Sequence, residues 1–352
     1  MTLLTLLTWG ANSHGQLGLG WRSEQEVKAV SVICLPSHLP GQLKELVGGG
    51  GHSLLCDSAG RVYVTGWNNV GQLGLAHTDP VCVFTEINFP HFVTSLAAGW
   101  DFSLLLTQSG EVFACGSNSF GQLGVADSNI KSSNIFVKIK SLKNIRKISA
   151  GLRHAGCVDD EGSVYTWGAG TKGQLGNGKV SKQFEPVKIS SISGALDVHC
   201  GQHFTVVETE QCVLGVGDNK YHQLGDSTEA ISLTEPVTLS ELQAGDQISC
   251  GWTHLVTCRA GTVTVSGRDN YSQRGGAGTV MEGVRKAVAG SEHCLCLSQD
   301  GSVWAWGWNE HGNCGTGNDP PPDSVTRPVR LDLDKAENIF VGSAHNFVLI
   351  EK

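Results

Sequence analysis

Five histidines are the residues of this chain whose type and spacing first suggest chemistry. Each stands three positions after a glycine, and histidine is the side chain that most often ligates metals or transfers protons near neutral pH. Two further copies of the same Gly-x-x-His pattern carry phenylalanine, which can do neither. Because these copies keep the shape and lose protonation, we predict that the imidazoles pack inside the fold and hydrogen-bond strands to loops. The histidines are His52, His154, His254, His293 and His345, and the phenylalanines are Phe102 and Phe204.

Other signals of catalysis are weak. Residues 168–173 match the G-x-G-x-x-G fingerprint of dinucleotide-binding loops, but that loop requires a following helix within a βαβ unit. No Walker-type phosphate loop, G-x-S-x-G nucleophile elbow or C-x-x-C pair occurs, and the 12 cysteines are scattered along the chain. We therefore expect no cofactor, no metal and no hydrolytic or redox active site, and we interpret the cysteines as reduced thiols.

The match at 168–173 belongs to a longer glycine-rich loop that recurs through the whole chain. Its first copy runs from Trp9 to Gly18, as Trp-Gly-Ala-Asn-Ser-His-Gly-Gln-Leu-Gly. A repeat with a period of about fifty residues indicates one repetitive architecture rather than a chain of independent motifs. The later copies begin at Gly66, Gly116, Gly168, Gly217, Gly267 and Gly307.

Positions inside this loop predict its local structure. The glutamine is expected to satisfy backbone groups of the loop, and the leucine to wedge between repeats. The residue before the glutamine is usually glycine, which indicates a positive φ. His222 and Ser272 replace that glycine in two copies, and the other five copies carry Gly15, Gly71, Gly121, Gly173 and Gly312.

The segments between these motifs read as short strands. Residues 53–64 contain two apolar runs around a polar turn, which is typical of a hairpin, and two more β-rich runs follow each glycine-rich loop, as at 187–189 and 196–199. Four antiparallel strands repeated seven times predict an all-β fold, a seven-bladed β-propeller with four-stranded blades. Such a ring protects its sheet edges by closing on itself.

The two ends of the chain complement each other. Residues 342–350 supply one strand of a hairpin, and residues 6–10 supply the missing partner. We therefore predict a single domain over 1–352, with a ring closed by pairing of the N- and C-terminal strands. The seventh blade is expected to be shared between residues 1–20 and about 325–352. One repeat is shorter by roughly ten residues between Arg274 and Gly290, so its blade should be trimmed.

The repeated Gly-x-x-His, G-x-V-x-x-W-G and N-x-x-G-Q-L-G patterns resemble the regulator of chromosome condensation repeat family, whose members form seven-bladed propellers. Longer segments such as 99–102, 251–255 and 306–312 are similar to the secretion-regulating guanine nucleotide exchange factors within that family. The resemblance implies a cytoplasmic and also nuclear protein that is linked to small GTPases, to exocyst-type trafficking complexes and to protein secretion.

Charge and hydropathy limit the classes of partner. The net charge is −8, so the chain offers no basic face to nucleic acid or to an anionic membrane. No apolar run is long enough for a membrane-spanning helix. We expect a protein partner, no nucleic acid, no membrane insertion and a monomeric propeller.

The residues that vary between repeats are the candidates for binding. The two positions between glycine and histidine change in every copy, and equivalent repeat positions lie at one end of a ring, around the mouth of its channel. Tryptophan and arginine at such positions are typical anchors of protein interfaces. The alternative is that they fill space between blades. The predicted partner-binding residues are Trp100, Asp101, Arg153, His203, Trp252, Glu292, Trp308 and Asn309.

Three functions fit this arrangement. The favoured one is a binding module that docks a GTPase or a trafficking subunit. A genuine exchange factor would need an element that displaces the nucleotide, such as the protruding insertion of the family's chromatin-bound exchange factor, and no such insertion or basic N-terminal tail is visible. A light-sensing dimer built on clustered tryptophans, as in plant members of the family, would carry Gly-Trp-Arg-His-Thr segments, which do not occur.

Overall fold

The computed structural model describes residues 4–32, 39, 42–225, 230–276 and 278–351. Short β-strands account for nearly all regular secondary structure in this part of the chain, because β-branched and aromatic runs alternate with glycine-containing turns. No helix there is both long and apolar enough to span a membrane.

The strands form seven sheets, the blades of the propeller. We number the blades in chain order, starting with the one that contains the first strand after residue 40. The chain begins with β1 (Leu4–Ala11) and β2 (Gln25–Ser31). Blade 1 contains β3 (Leu43–Gly48), β4 (His52–Asp57), β5 (Val62–Gly66) and β6 (Val81–Glu86). Blade 2 contains β7 (Val93–Ala98), β8 (Phe102–Thr107), β9 (Val112–Ser117) and β10 (Ser132–Lys138). Blade 3 contains β11 (Ile145–Ala150), β12 (His154–Asp159), β13 (Val164–Gly168) and β14 (Gln183–Lys188).

The second half of the chain continues the pattern. Blade 4 contains β15 (Ala195–Cys200), β16 (Phe204–Thr209), β17 (Val213–Asp218) and β18 (Ser232–Thr238). Blade 5 contains β19 (Gln247–Cys250), β20 (His254–Arg259) and β21 (Thr262–Gly267). Blade 6 contains β22 (Val284–Ala289), β23 (His293–Ser298), β24 (Val303–Trp308) and β25 (Ser324–Arg330). Blade 7 contains β26 (Ala336–Val341) and β27 (His345–Glu351), together with β1 and β2.

Each blade is an antiparallel sheet, and in blades 1 to 6 the strands follow chain order from the centre of the ring outward, whereas blade 7 runs β26, β27, β1, β2. The innermost strands contact one another in sequence, from β3 through β7, β11, β15, β19, β22 and β26 back to β3. The contacts therefore close a ring around a central channel. The predicted seven-bladed β-propeller is confirmed.

Pairing of the two ends closes this ring. Strand β1 pairs with β27 from Leu4 opposite Glu351 to Gly10 opposite His345, and β27 pairs with β26 on its other side. The predicted bounds of the shared blade need correction, because β2 carries the N-terminal part on to Ser31 and β25 belongs to blade 6. Residues 1–3 and 352 of the predicted blade lie outside the described residues.

The hydrophobic core lies between adjacent blades rather than at the centre of the ring. One cluster joins Leu104 of blade 2 to Trp167 of blade 3, and Leu123 from the glycine-rich loop is buried between them. Another joins Leu295 of blade 6 to Trp9 of blade 7. The leucines of the loop therefore wedge between blades, as predicted.

Blade 5 is the trimmed blade. In the described residues it has three strands, and beyond β21 only an isolated bridge joins Val263 to Met281. The shortening predicted between Arg274 and Gly290 thus removes the outermost strand and leaves the three inner ones.

Candidate partner-binding face

Two kinds of connection meet at one end of the ring, which we call the upper face. The Gly-x-x-His turns join the first and second strands of each blade, and the glycine-rich loops follow the third strand. Backbone hydrogen bonds hold turn and loop together, as from Ser117 to the Asp101 carbonyl and from Trp308 to the Glu292 carbonyl. The turns therefore lie at one end of the ring, as predicted, and the glycine-rich loops lie at the same end.

The turns form a ring of their own around the channel mouth. The backbone N–H of Trp100 donates to the Leu152 carbonyl at 3.0 Å, that of Trp252 to the Ser291 carbonyl at 2.8 Å, and that of Ser291 to the Ser343 carbonyl at 2.9 Å. These bonds run between blades, so they fix the turns relative to one another. They surround a cavity of about 100 Å³.

Trp100 of blade 2 and Trp252 of blade 5 meet across this mouth. Their ring centroids lie 5.6 Å apart at an interplanar angle of 56°, and both side chains are half-buried. Tilted aromatic pairs at this separation attract each other. The structure thus joins two predicted residues that come from non-adjacent blades.

Arg153 and Asp101 contact other groups rather than each other. The Arg153 guanidinium lies 4.6 Å from the centroid of the Phe120 ring, which is a cation–π arrangement. Asp101 Oδ1 accepts a hydrogen bond of 3.2 Å from Gln122 Nε2. Burial raises the pKa of the Asp101 carboxyl, and the Gln122 hydrogen bond opposes that rise.

Two of the eight predicted residues are not accessible, and their place on an exposed face is corrected. Glu292 is 6% exposed; its carboxylate accepts hydrogen bonds from Thr253 Oγ1 and from Gln273 Nε2, and burial raises its pKa. Asn309 is 0% exposed, and its amide oxygen accepts the Cys314 N–H at 2.8 Å. Both side chains therefore hold the scaffold.

The remaining two residues lie on the upper face, apart from the tryptophan pair. Trp308 is half-buried beside Tyr271, with ring centroids 6.3 Å apart, and its indole N–H donates to Glu310. His203 is half-buried, and burial lowers its pKa. The binding role of Trp100, Asp101, Arg153, His203, Trp252 and Trp308 stays a prediction.

The site prediction missed an aromatic cluster next to Trp308. The Arg268 guanidinium lies 5.2 Å from the centroid of Tyr221 and 5.5 Å from that of Tyr271, so it joins the loops of blades 4 and 5. The sequence did carry a signal, because an aromatic residue stands two positions before the loop glutamine at Phe120, Tyr221 and Tyr271.

The five histidines below the upper face link adjacent blades. His154 Nε2 lies 3.0 Å from Thr205 Oγ1 in blade 4, and that hydroxyl donates to the Gln174 carbonyl of blade 3 at 2.8 Å. Because the hydroxyl hydrogen is already donated, His154 Nε2 must carry the proton of the other bond. His52 repeats the arrangement with Ser103, and His345 with Ser53.

Burial keeps these histidines neutral. It lowers the pKa of His52, His154, His254 and His345 to about 3 and that of His293 to about 4. All five are fully buried. Their predicted structural role is confirmed, with the correction that the hydrogen bonds tie one blade to the next.

The sequence contained a signal for this linkage that was missed. When a blade carries histidine in its Gly-x-x-His turn, the following blade carries a polar residue one position after its own copy of that turn. These polar residues are Ser53, Ser103, Thr205, Cys294 and Asn346. Where the first blade carries Phe102 or Phe204, the residue in the next blade is Ala155 or Leu255. A histidine therefore faces a polar residue of the next blade and a phenylalanine faces an apolar one, because a buried hydrogen-bond donor without an acceptor is costly.

The glycine-rich loop is held by two side chains that recur. The glutamine accepts from the backbone N–H two residues earlier, as from Phe120 to Gln122 at 2.8 Å. The asparagine accepts from the N–H five residues later, as from Leu123 to Asn118 at 3.1 Å. The position before the glutamine has positive φ in all seven copies, including 58° at His222 and 62° at Ser272. These predictions for the loop are confirmed.

The described residues contain no group of three or more histidine, cysteine or acidic side chains arranged to hold a metal ion.

Comparison with known proteins agrees with this geometry. A family model for the RCC1-like domain matches residues 5–348. A secretion-regulating guanine nucleotide exchange factor of Bos taurus is 34% identical, over 99% of this chain and 84% of its own length. The corresponding protein of Mus musculus is 33% identical, over 96% of this chain and 81% of its own length.

The solved structures include a fold of the same kind. Prp20p of Saccharomyces cerevisiae superposes with a TM-score of 0.87 at 22% identity, over 100% of this chain and 92% of its own. At that identity the likeness supports the fold alone. Together with the family match over nearly the whole sequence, it leads to one conclusion: this chain belongs to the family of RCC1-like domains.

Proposed function

We propose that this protein binds a small GTPase, or a subunit of a GTPase-controlled trafficking complex of the exocyst type, and regulates protein secretion. The observation that carries this proposal is the similarity to the bovine and murine secretion-regulating guanine nucleotide exchange factors over nearly the whole chain. An exchange factor acts on GTP-binding proteins, so a partner of that class follows from the names of these relatives.

The proposed contact surface is the upper face around the channel mouth. Trp100 and Trp252 offer a joined aromatic surface there, and Arg153 adds a cation over the Phe120 ring. Buried aromatic and arginine anchors dominate the binding energy of many protein interfaces. Asp101, His203 and Trp308 extend the surface around the ring.

Binding is tested with purified chain against a panel of small GTPases loaded with GDP or with a non-hydrolysable GTP analogue. We expect Arg153→Ala and Trp100→Ala each to weaken binding at least roughly tenfold, which corresponds to about 1.4 kcal/mol. The matched controls are Arg330→Ala and Phe92→Ala, which remove exposed residues away from the upper face and should leave the affinity unchanged.

Thermal melting of the same variants separates binding from folding. Arg153 makes a partly exposed contact, so its removal should lower the free energy of unfolding by no more than about 1 kcal/mol. If binding falls only in proportion to the loss of folded protein, the residues are packing elements and the proposed face is wrong.

Nucleotide exchange is the second candidate, because the relatives are named for it. The strand connections described here include no long protruding insertion; none is longer than the one from 268 to 283. We therefore favour binding without catalysed release. Release of a fluorescent GDP analogue from each GTPase of the panel decides the question, since fast release from any one of them would establish exchange.

The proposal places the protein in the cytoplasm and nucleus as a monomer. The described cysteines carry no disulfide, which is typical of proteins in reducing compartments. Fluorescence microscopy of the tagged chain tests the location, and a signal confined to the secretory lumen would contradict it. Sedimentation at micromolar concentration tests the monomer.

A further inference from the structure

The rim of blade 5 differs from the rim of every other blade. Six blades have a fourth strand on the outer edge of their third, whereas in the described residues β21 has only the bridge from Val263 to Met281. Val263 donates to the Met281 carbonyl and accepts from Val280, so its backbone points outward, away from β20. In an antiparallel strand the backbone of Val265, two residues on, points the same way.

The outward backbone groups of Val265 have no partner among the described residues. No backbone or side-chain hydrogen bond is formed to its N–H or its C=O on that side. Gly267 is half-buried, whereas the equivalent glycines of the other six blades are fully buried: Gly10, Gly66, Gly116, Gly168, Gly217 and Gly307. An edge with unpaired backbone groups is a template for another strand.

The neighbouring loop of blade 4 shows the same vacancy. In other repeats the glycine before the glutamine lies against the fourth strand of the next blade, as Gly71 lies against Asn134 of β10. The glycine three residues later lies against that strand at Gly18 and Gly74, and against the third strand of the next blade at Gly124, Gly176, Gly275 and Gly315. In blade 4 the first of these positions is His222, and the second is Gly225, which meets no described atom within 4 Å. In the described residues, blade 5 has no fourth strand to lie against position 222.

A small apolar cavity lies between blade 4 and β21, at the position of Ser266, where blades 3, 6 and 7 carry Trp167, Trp306 and Trp9. It has a volume of about 20 Å³ and is lined by Leu224 and Gly225 of the loop, Leu239 and Leu242 of the blade 4 connection, and Ser266 of β21. That volume admits a group about the size of one water molecule or one methyl.

We propose that blade 5 binds an extended segment of a partner protein, which adds to β21 as its fourth strand. Only another peptide backbone supplies donors and acceptors at the spacing that β21 presents. This site lies on the rim, separate from the upper face, and it does not depend on the identity of the GTPase-related partner.

The other blades indicate which residue the segment carries. The position equivalent to Val265 lies opposite a β-branched residue in every blade that has a fourth strand. These residues are Val30, Thr85, Val137, Val187, Val237 and Val329. The bound segment therefore places valine, isoleucine or threonine opposite Val265.

The probe is a synthetic peptide of residues 321–329, which ends at the valine of β25 that lies opposite Ala305 in blade 6. Amide hydrogen exchange of the full chain is the readout. In the free protein the Val265 amide should exchange at least tenfold faster than that of Ala305, and saturating peptide should slow it at least tenfold. A peptide with Val329→Asp serves as the matched control and should give no protection.

A graft tests the site without relying on peptide affinity. Replacing residues 276–279 with residues 316–330 restores a fourth strand, because Leu331 and Val280 make the same backbone hydrogen bond, to Val303 and to Val263 respectively. This chain should protect the Val265 amide without peptide and should lose peptide binding. A glycine–serine linker of equal length in the same place should leave both unchanged.

Three results would overturn the proposal. The Val265 amide of the free monomer could be as protected as that of Ala305, the peptide could protect the strand-grafted chain equally well, or sedimentation could show that protection appears only when two copies of this chain associate.

Discussion

At the scale of single residues, the histidines are the clearest case of chemistry used for structure. Each is neutral, fully buried and bonded through Nε2 to the next blade. A glycine three residues earlier leaves room for the ring, since a Cβ on Gly49 would overlap His52. Phenylalanine fills the same place in blades 2 and 4, so the ring provides the packing and the hydrogen bond adds the linkage.

These histidines make stability depend on pH. Their pKa is about 3 to 4 in the folded protein against 6.5 in the unfolded chain, so below pH 6.5 the unfolded state binds more protons. Each therefore costs about 1.4 kcal/mol of stability per pH unit as pH falls from 6.5 toward 4. We expect acid unfolding between about pH 6 and pH 4, measured by circular dichroism during chemical denaturation.

The variant His154→Phe should reduce this acid sensitivity by about one histidine's share, roughly 1.4 kcal/mol per pH unit. The chain itself provides the precedent, because Phe102 and Phe204 occupy equivalent sites. A free energy of unfolding that stays constant from pH 7 to pH 4.5 in the parent chain would contradict the assigned neutral state.

The hydroxyl partner can be tested separately. Thr205→Ala should destabilise the fold by about 2–5 kcal/mol, because the His154 Nε2–H and the Gln174 carbonyl both lose their partner in a buried site. Adding His154→Phe should restore part of this loss, since the pair then matches Phe102 and Ala155 and only the carbonyl stays unpaired. A double-mutant cycle from denaturant unfolding measures the coupling; strictly additive losses would show that no linkage exists.

At the scale of strands, each blade depends on the blade beside it. The fourth strand of one blade packs on the glycine-rich loop of the blade before it, as β10 and β14 pack on Gly71 and Gly121. In the part of the chain that the structure describes, blade 5 has no fourth strand, and the adjacent loop carries His222 where most copies carry glycine.

Substitutions at two glycines of the same repeat position test the contact between the glycine-rich loop and the fourth strand. Gly74→Ala and Gly225→Ala both place alanine at positive φ, 69° and 84°, and so share the same backbone strain. Only Gly74 lies against a fourth strand, through Phe136. We expect Gly74→Ala to be the more destabilising by about 1–3 kcal/mol, the usual cost of overpacking. Equal losses in urea unfolding would show that loop and strand are not in contact.

At the scale of the whole molecule, stability depends on closure of the ring. Strand β27 pairs with β1 on one side and β26 on the other, so its loss would expose an edge on each. Over the described residues, blade 5 keeps its three inner strands without an outer one. Strand β27 is an inner strand and cannot be lost in the same way. It pairs with a strand on each side, and its side chains belong to the hydrophobic clusters against blades 1 and 6.

Deletion of residues 343–352 should therefore abolish cooperative folding, because the loss of β27 exceeds the 5–15 kcal/mol by which a typical domain is stable. Differential scanning calorimetry of the truncated chain is the measurement. Removal of residue 352 alone is the control and should leave the melting transition in place. A soluble truncation that melts cooperatively would show that closure occurs by another pairing.

The amino-acid sequence by itself determined the number of blades, the trimmed blade, the structural histidines and the end at which the variable residues lie. These follow from patterns that recur at a fixed period, so each copy supports the reading of the others. The bounds of the shared blade were less well determined, because the glycine-rich loop marks one end of a strand and leaves the strand's length open.

Only the tertiary structure decided which variable residues reach the surface. Trp100 and Trp252 are about 150 residues apart, and they meet because ring closure brings blades 2 and 5 to opposite sides of one narrow mouth. Glu292 and Asn309 occupy variable or loop positions like the others, yet their side chains fold inward to satisfy buried donors. A one-dimensional pattern gives the position of a residue in its repeat, whereas its exposure depends on which donors its neighbouring blade leaves unpaired.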